Sequence, residues 1–280
     1  MKVSAILFCL FSIPSSANAF VQLKQPVSFS SKLYGWNVET TWDAATVTSV
    51  SDACSNSICL SLDVGKEKSE TYEVPGQYCQ VKVAGDDEAK PAFLAVASAP
   101  KSNDDGVWEF LIKKTDNNSW LTDDLDVGSK VDVSQILGKG FQTEEHFDGF
   151  KYDFPVQRVL LFAAGSGIAP IRAAIESDAV LKAGRSARLY YGCRSLGEMA
   201  YKDKLADWEA RGVEIVPVIS QSDDDFKGRM GYCQTALEED GIPTPRNCGA
   251  LLCGMKGMTE AVSDLLKGSG MFEGRILQNF

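Results

Sequence analysis

The sequence predicts two units joined end to end: a six-stranded antiparallel β-barrel, then an α/β domain built on a parallel sheet. Three observations carry this. Between Trp36 and Gln142, short apolar runs of strand length are separated by turn signals. The stretch Arg158 to Glu176, RVLLFAAGSGIAPIRAAIE, reads as a strand, a glycine turn and a helix. Three later apolar runs, each followed by polar or glycine-rich residues and then a helical pattern, continue in the manner of a parallel sheet with crossover helices. About 245 residues remain once an N-terminal leader is set aside, enough for two such domains.

The leader comes first. Met1 to Leu33 contains lysines at 2, 24 and 32 and no acid. Val3 to Ile13 is apolar but too short to span a bilayer, and Ala17-Asn18-Ala19 is a small-x-small cleavage pattern, so residues 1–19 are expected to be a signal peptide. Residues 20–34, serine-rich, basic and acid-free, read as a transit-peptide-like segment. A cleavage site followed directly by Phe20 resembles the two-part plastid presequences of algae with secondary plastids, and a plastid location is expected. Plain secretion is the alternative, in which case the sequon Asn117-Asn118-Ser119 would matter.

The net charge of the whole chain is −10, of which residues 1–33 contribute +3, leaving −13 for 34–280. So acidic a surface argues against nucleic acid or an anionic membrane as partner, and no integral membrane span is expected. The eight cysteines, at 9, 54, 59, 79, 193, 233, 248 and 253, form no CxxC, and Leu62 stands where an iron–sulfur loop begun by Cys54 and Cys59 would continue with cysteine. Scattered cysteines suit a reducing compartment. With His146 as the sole histidine, no histidine-rich metal site and no Ser/His/Asp triad is expected, and His146 reads as an exposed linker residue.

Strand candidates for the barrel are 45–50, 58–64, 78–83, 93–97, 107–113 and 130–133, with turns at Pro75-Gly76, Asp86-Asp87 and Asp104-Asp105-Gly106. Glu144 to Pro155 is the expected linker. In the second half, Val159–Ala164 is an uninterrupted apolar strand. Gly165 and Gly167 can take positive φ and lack a Cβ, and the helix behind them offers free N–H groups, so this turn suits a phosphate-bearing ligand. Pro170 fits a first helical turn, although it replaces the third glycine of the dinucleotide fingerprint. Further strands are expected at 187–194, 213–220 and 249–254. Gly165, Gly192, Ser220 and Gly254 fall at the carboxyl ends of a Rossmann-like sheet, where ligands bind.

The ordered motifs Pro75-Gly76-Gln77-Tyr78, Ala95-Val96-Ala97-Ser98, Gly165-Ser166-Gly167-Ile168-Ala169-Pro170, Tyr191-Gly192-Cys193-Arg194 and Cys253-Gly254-Met255-Lys256-Gly257-Met258 resemble those of the ferredoxin–NADP⁺ reductase superfamily. More narrowly, PAFLAVASAP, LGKGF, RLYYGCR, MAYKDKL and the terminal Asn279-Phe280 resemble the plastid FAD/NAD(P)-binding oxidoreductase-like proteins of plants and algae.

The resemblance implies an FAD-binding FR-type barrel over 36–150 and an NAD(P)-binding α/β domain over 155–280. The implied activity is flavin-dependent NAD(P)H oxidation, with a hydride moving between nicotinamide and flavin and electrons passing to an unspecified acceptor, a protein being one candidate. Implied cofactors are FAD, with FMN the alternative, and NADP or NAD. Residue by residue, Gly165 to Pro170 would cradle the pyrophosphate. Cys253, Gly254 and Met255 would flank the nicotinamide, with Cys253 a catalytic candidate. Ser220 and Tyr232 would approach the adenosine, and Arg194 its 2′-phosphate. Phe280 would stack on the flavin as the second catalytic candidate.

On the barrel, Phe93, Leu94, Ala95 and Ser98 would lie along the flavin. The superfamily's RxYS motif appears here as Ala92, Phe93, Leu94 and Ala95. Its arginine, tyrosine and serine are all missing, which leaves the phosphates to backbone N–H groups near Asn118 and Ser119 or to lysines such as Lys90.

Plainer readings stand beside these: Cys253 as a small buried hydrophobe, 93–97 as a core strand, Arg194 as a solvated loop residue and Phe280 as an aromatic docked on its own domain. Asp223, Asp224 and Asp225 favour NAD, while Arg194, Lys227, Arg229 and Tyr232 favour NADP. Two other functions remain open, a nucleotide-binding regulatory or assembly protein that has lost flavin chemistry and an electron-transfer subunit active only in a complex.

Overall fold

Apolar side chains recur at every second residue along much of 42–134, and this spacing folds the stretch into strands with one face inward. In the computed structural model, which describes residues 39–101, 106–149, 152–221 and 226–279, those strands are β1 (Trp42–Cys54), β2 (Ser57–Asp63), β3 (Tyr78–Val83), β4 (Ala92–Ala95), β5 (Val107–Lys113) and β6 (Lys130–Ser134). Two one-turn helices, α1 (Lys66–Ser69) and α2 (Ser119–Thr122), lie between them.

The sheet order is β4-β3-β6-β1-β2-β5, every neighbouring pair antiparallel. Its two edges meet where Val96 bridges Phe110 and the Ala97 N–H donates to the Glu109 carbonyl at 2.7 Å. The sheet is thereby a closed barrel, the arrangement that removes exposed edges. Leu60, Leu62, Val81, Phe110, Val131 and Val133 fill it, and Tyr72 meets Trp108 edge-on at 6.5 Å.

The second sheet comprises β7 (Arg158–Ala164), β8 (Ser186–Cys193), β9 (Val213–Ile219), β10 (Arg229–Met230), β11 (Cys248–Cys253) and β12 (Ile276–Asn279), ordered β10-β9-β8-β7-β11-β12 and parallel throughout. Helices α3 (Ile168–Glu176), α4 (Leu205–Ala210), α5 (Cys233–Asp240) and α6 (Lys256–Gly268) connect and cover it. The unbroken apolar run of β7 has a physical reason. Val159, Leu161 and Ala163 pack into one layer with Ile171 and Ile175 of α3 and Trp208 of α4, while Leu160 and Phe162 pack into the opposite layer with Leu237 of α5 and Val262 of α6. A strand buried on both faces has no polar positions to spare.

Between the sheets the chain is not a free linker. Glu144–Asp148 forms a single π-helical turn whose Phe147 is 3% exposed. That ring fills the space beside Gly249 of β11, where a Cβ would come within 2.6 Å of it. Asp148 pairs with Arg185, and with Lys182 at 3.1 Å. His146 therefore departs from the sequence expectation, because its side chain is only 22% exposed. The described residues belong to one compact unit, and Ala97 and Leu111 from the barrel share a core layer with β7 and α3.

Candidate functional site

The sheet reverses direction of growth at β7: β8 lies on one side of it and β11 on the other. A crevice opens outside the carboxyl ends of strands at such a switch point. Here it is framed by Ala164-Gly165 after β7 and Cys253-Gly254 after β11, and it continues across the barrel's outer face as one cleft of about 1180 Å³.

The two glycines of the turn do different work. Gly165 has φ +54°, and a Cβ built there would meet nothing within 4 Å, so its backbone stands open to the cleft. Gly167 has φ −60°, and its Cβ would lie 2.3 Å from the Cys253 carbonyl oxygen. Its small size lets the turn pass against β11. Gly254 answers from the other side, where a Cβ would come within 2.8 Å of that of Ala164.

Of the residues expected at the nucleotide, Gly165, Ser166, Gly167, Ala169, Pro170, Arg194, Ser220, Tyr232, Cys253, Gly254 and Met255 all line the cleft. Ile168 does not, being fully buried in the core. Tyr232 and Met255 are 59% and 70% exposed, large apolar surfaces left open where a ligand can cover them. Backbone bonds hold Ser220 and Gln221 in place: their N–H groups donate to the carbonyls of Cys193 and Arg194 at 3.0 and 2.9 Å. Arg229 is held elsewhere, bonded to Asp240 and to the Ala236 carbonyl. Burial pushes the Cys253 thiol up to about 12, which keeps it neutral. Asp223, Asp224, Asp225 and Phe280 lie outside the described residues.

On the barrel wall, Phe93, Leu94, Ala95 and Asn118 line the cleft. Strand alternation turns Phe93 outward, 65% exposed, and Leu94 inward, 9% exposed. Ser98 is buried as a structural acceptor for the Glu109 N–H at 3.2 Å, and neither Ser98 nor Ser119 lines the cleft. Lys90 is likewise absent from the lining. Sequence reasoning did not single out several residues that are present, among them Tyr78, Asn56, Ser57, Lys113, Thr115 and Asn279. Tyr78 stands 6.0 Å from Phe93, ring to ring. It sits inside the quoted Pro75-Gly76-Gln77-Tyr78 motif, so a signal for it existed. For Lys113 only the barrel register supplies one.

A closed barrel set against a doubly wound parallel sheet, with one cleft running across both, defines the class of two-part pyridine-nucleotide reductases. The comparisons agree. The family profile described as "Oxidoreductase NAD-binding domain" matches residues 161–264. The chain is 31% identical over 247 residues to the fruit protein pKIWI502 of Actinidia deliciosa, covering 84% of this chain and 76% of that one. It is 28% identical over 239 residues to the toluate 1,2-dioxygenase electron transfer component of Pseudomonas putida, covering 81% of this chain but 64% of the relative.

Among solved structures, a ferredoxin NADP⁺ reductase from Neisseria gonorrhoeae with bound FAD and NADP superimposes with a TM-score of 0.69 at 16% identity, covering 86% of this chain and 99% of that one. The chain belongs to the family of pKIWI502, carries an oxidoreductase NAD-binding domain, and has the fold of a ferredoxin NADP⁺ reductase.

Proposed function

We propose that the protein is a flavin-dependent NAD(P)H oxidoreductase that hands electrons to a further component. The observation carrying this is the shared cleft: the Gly165 turn and Cys253 form one wall, and Phe93 with Tyr78 forms the facing part of the barrel. The residues present suit two bound nucleotides. Gly165 leaves its backbone open where a Cβ would otherwise fill the space, α3 presents its N-terminal end behind that turn, and Phe93, Tyr232 and Met255 offer exposed apolar faces. When bound, the flavin would accept the nicotinamide's hydride and release electrons onward.

The protein's part is positioning and exclusion. Gly165 and α3 bind phosphate. Ser220 and Tyr232 receive the adenosine end, with Arg194, which makes no ion pair among the described residues, beside any 2′-phosphate. Cys253, neutral at physiological pH, packs against the nicotinamide as a small apolar group rather than a nucleophile.

The acceptor is a separate redox partner, consistent with the Pseudomonas relative being an electron transfer component. A plastid location, reached through residues 1–34, is part of the same proposal and is supported by similarity to a plant protein. No helix among the described residues is long and apolar enough to cross a membrane. The purified chain supplied with FAD or FMN is expected to oxidise NADH or NADPH with ferricyanide as acceptor, and to lose that turnover when flavin is removed. Turnover that is unaffected by flavin removal, or absent with either coenzyme, would count against the proposal.

A further inference from the structure

The barrel end of the cleft has a cation that no sequence motif announces. Lys113 ends β5, lies exposed and lines the cleft. It makes no ion pair among the described residues, unlike its neighbour Lys114, which pairs with Asp52 at 3.1 Å. Its backbone is fixed. The Asn118 side-chain amide donates to the Lys113 carbonyl at 2.8 Å, and the Thr115 N–H and hydroxyl both donate to the Asn118 side-chain oxygen at 2.9 Å.

Register sets what surrounds it. Ser57 of β2 pairs with Lys113, and the barrel closes a few residues away, where Val96 bridges Phe110; Lys113 and Phe93 both line the cleft beyond that seam. The outward-facing Phe93 and its neighbour Tyr78 thus line the same cleft as the Lys113 cation and the polar residues Ser57 and Thr115.

A flavin nucleotide is a flat, largely apolar ring system joined through a polyol to an anionic phosphate, and it needs these two surfaces side by side. We propose that Lys113 binds the phosphate of the flavin nucleotide, supplying from β5 the positive charge that Ala92 on β4 lacks. This rests on the flavoprotein reading above. The lysine acts as a point charge at an exposed strand end, so its contribution weakens with salt.

The test compares dissociation constants for riboflavin, FMN and FAD, followed by quenching of flavin fluorescence on the purified full chain. The wild type is expected to bind FMN and FAD more tightly than riboflavin. Lys113→Gln is expected to weaken FMN and FAD by roughly tenfold to a hundredfold, the range for a charged hydrogen bond, while leaving riboflavin unchanged. Lys113→Arg should retain the phosphate preference, and Lys114→Gln should leave all three affinities as they are. Unchanged riboflavin binding also shows that Lys113→Gln is folded. If Lys113→Gln discriminates phosphate as the wild type does, or if Lys114→Gln loses as much, the assignment is overturned and the flavoprotein reading stands. If the wild type binds none of the three flavins, both are overturned.

Discussion

Gly165 and Gly167 are two residues apart, yet their substitution should separate ligand binding from stability. At Gly165 an alanine methyl enters open space but must adopt φ +54°, at a cost of about 1 kcal/mol. Its larger effect is on whatever approaches the turn. At Gly167 the methyl meets the Cys253 carbonyl at 2.3 Å, and forcing the turn off β11 should cost about 3 kcal/mol.

Denaturant unfolding and NAD(P)H titration of the two alanine variants check this. Gly165→Ala should fold nearly as well as the wild type and bind the coenzyme poorly, whereas Gly167→Ala should be the unstable one. An equally stable Gly167→Ala would contradict the close approach of the turn to β11. The sequence alone shows two glycines at a strand-to-helix turn. Which one stands open to the cleft and which faces a neighbouring strand depends on β11, about ninety residues further on, and no local pattern records that.

Arg172 ties the α3 element to the barrel. It is 6% exposed, pairs with Glu109 of β5 at 2.5 Å and with Glu176 at 3.0 Å, and lies 4.8 Å over the Tyr201 ring. Trp208 of α4 donates to the same Glu176 at 3.2 Å. Burial opposes the charge on Arg172, but Tyr201, Glu176 and Glu109 together raise its pKa above the ordinary value.

Replacing Arg172 by leucine leaves both carboxylates without their partner. That should cost about 2–3 kcal/mol, a discount from the fully buried case because Glu109 remains partly solvated. Glu109→Gln should cost less, and the double variant less than the sum of the two singles. Thermal unfolding of the three proteins decides the matter, and a neutral Arg172→Leu would remove the clamp from the account.

At this scale the sequence was largely legible. Long apolar runs gave β7, β8, β9 and β11, and the segments 78–83 and 107–113 appear with those bounds as β3 and β5. Elements of two and four residues, β10 and β12, are too short to show a period, and they went unseen. The segment 144–148 does lead from the barrel into the parallel sheet, but its ordered turn is not legible, because its single buried ring, Phe147, sits among acidic residues. Lys113 is illegible for a different reason: its place in the same cleft as Phe93 is a property of barrel closure, which brings together strands whose proximity no stretch of sequence displays.

For the molecule as a whole, the arrangement brings an open glycine turn and an exposed aromatic face into one cleft, on a chain whose net charge is strongly negative. A net −13 over residues 34–280 should repel acidic electron carriers and favour a neutral or basic acceptor, at rates that change with ionic strength. The central claim is that this cleft holds a flavin reducible by NAD(P)H.

The most direct measurement is the absorption spectrum of the purified chain, before and after anaerobic addition of NADH or NADPH. The account predicts flavin bands, present as isolated or after incubation with FAD or FMN, that bleach when the preferred coenzyme is added. A protein that stays colourless with either flavin would contradict it, and a nucleotide-binding protein without redox chemistry would then be the better description of this fold.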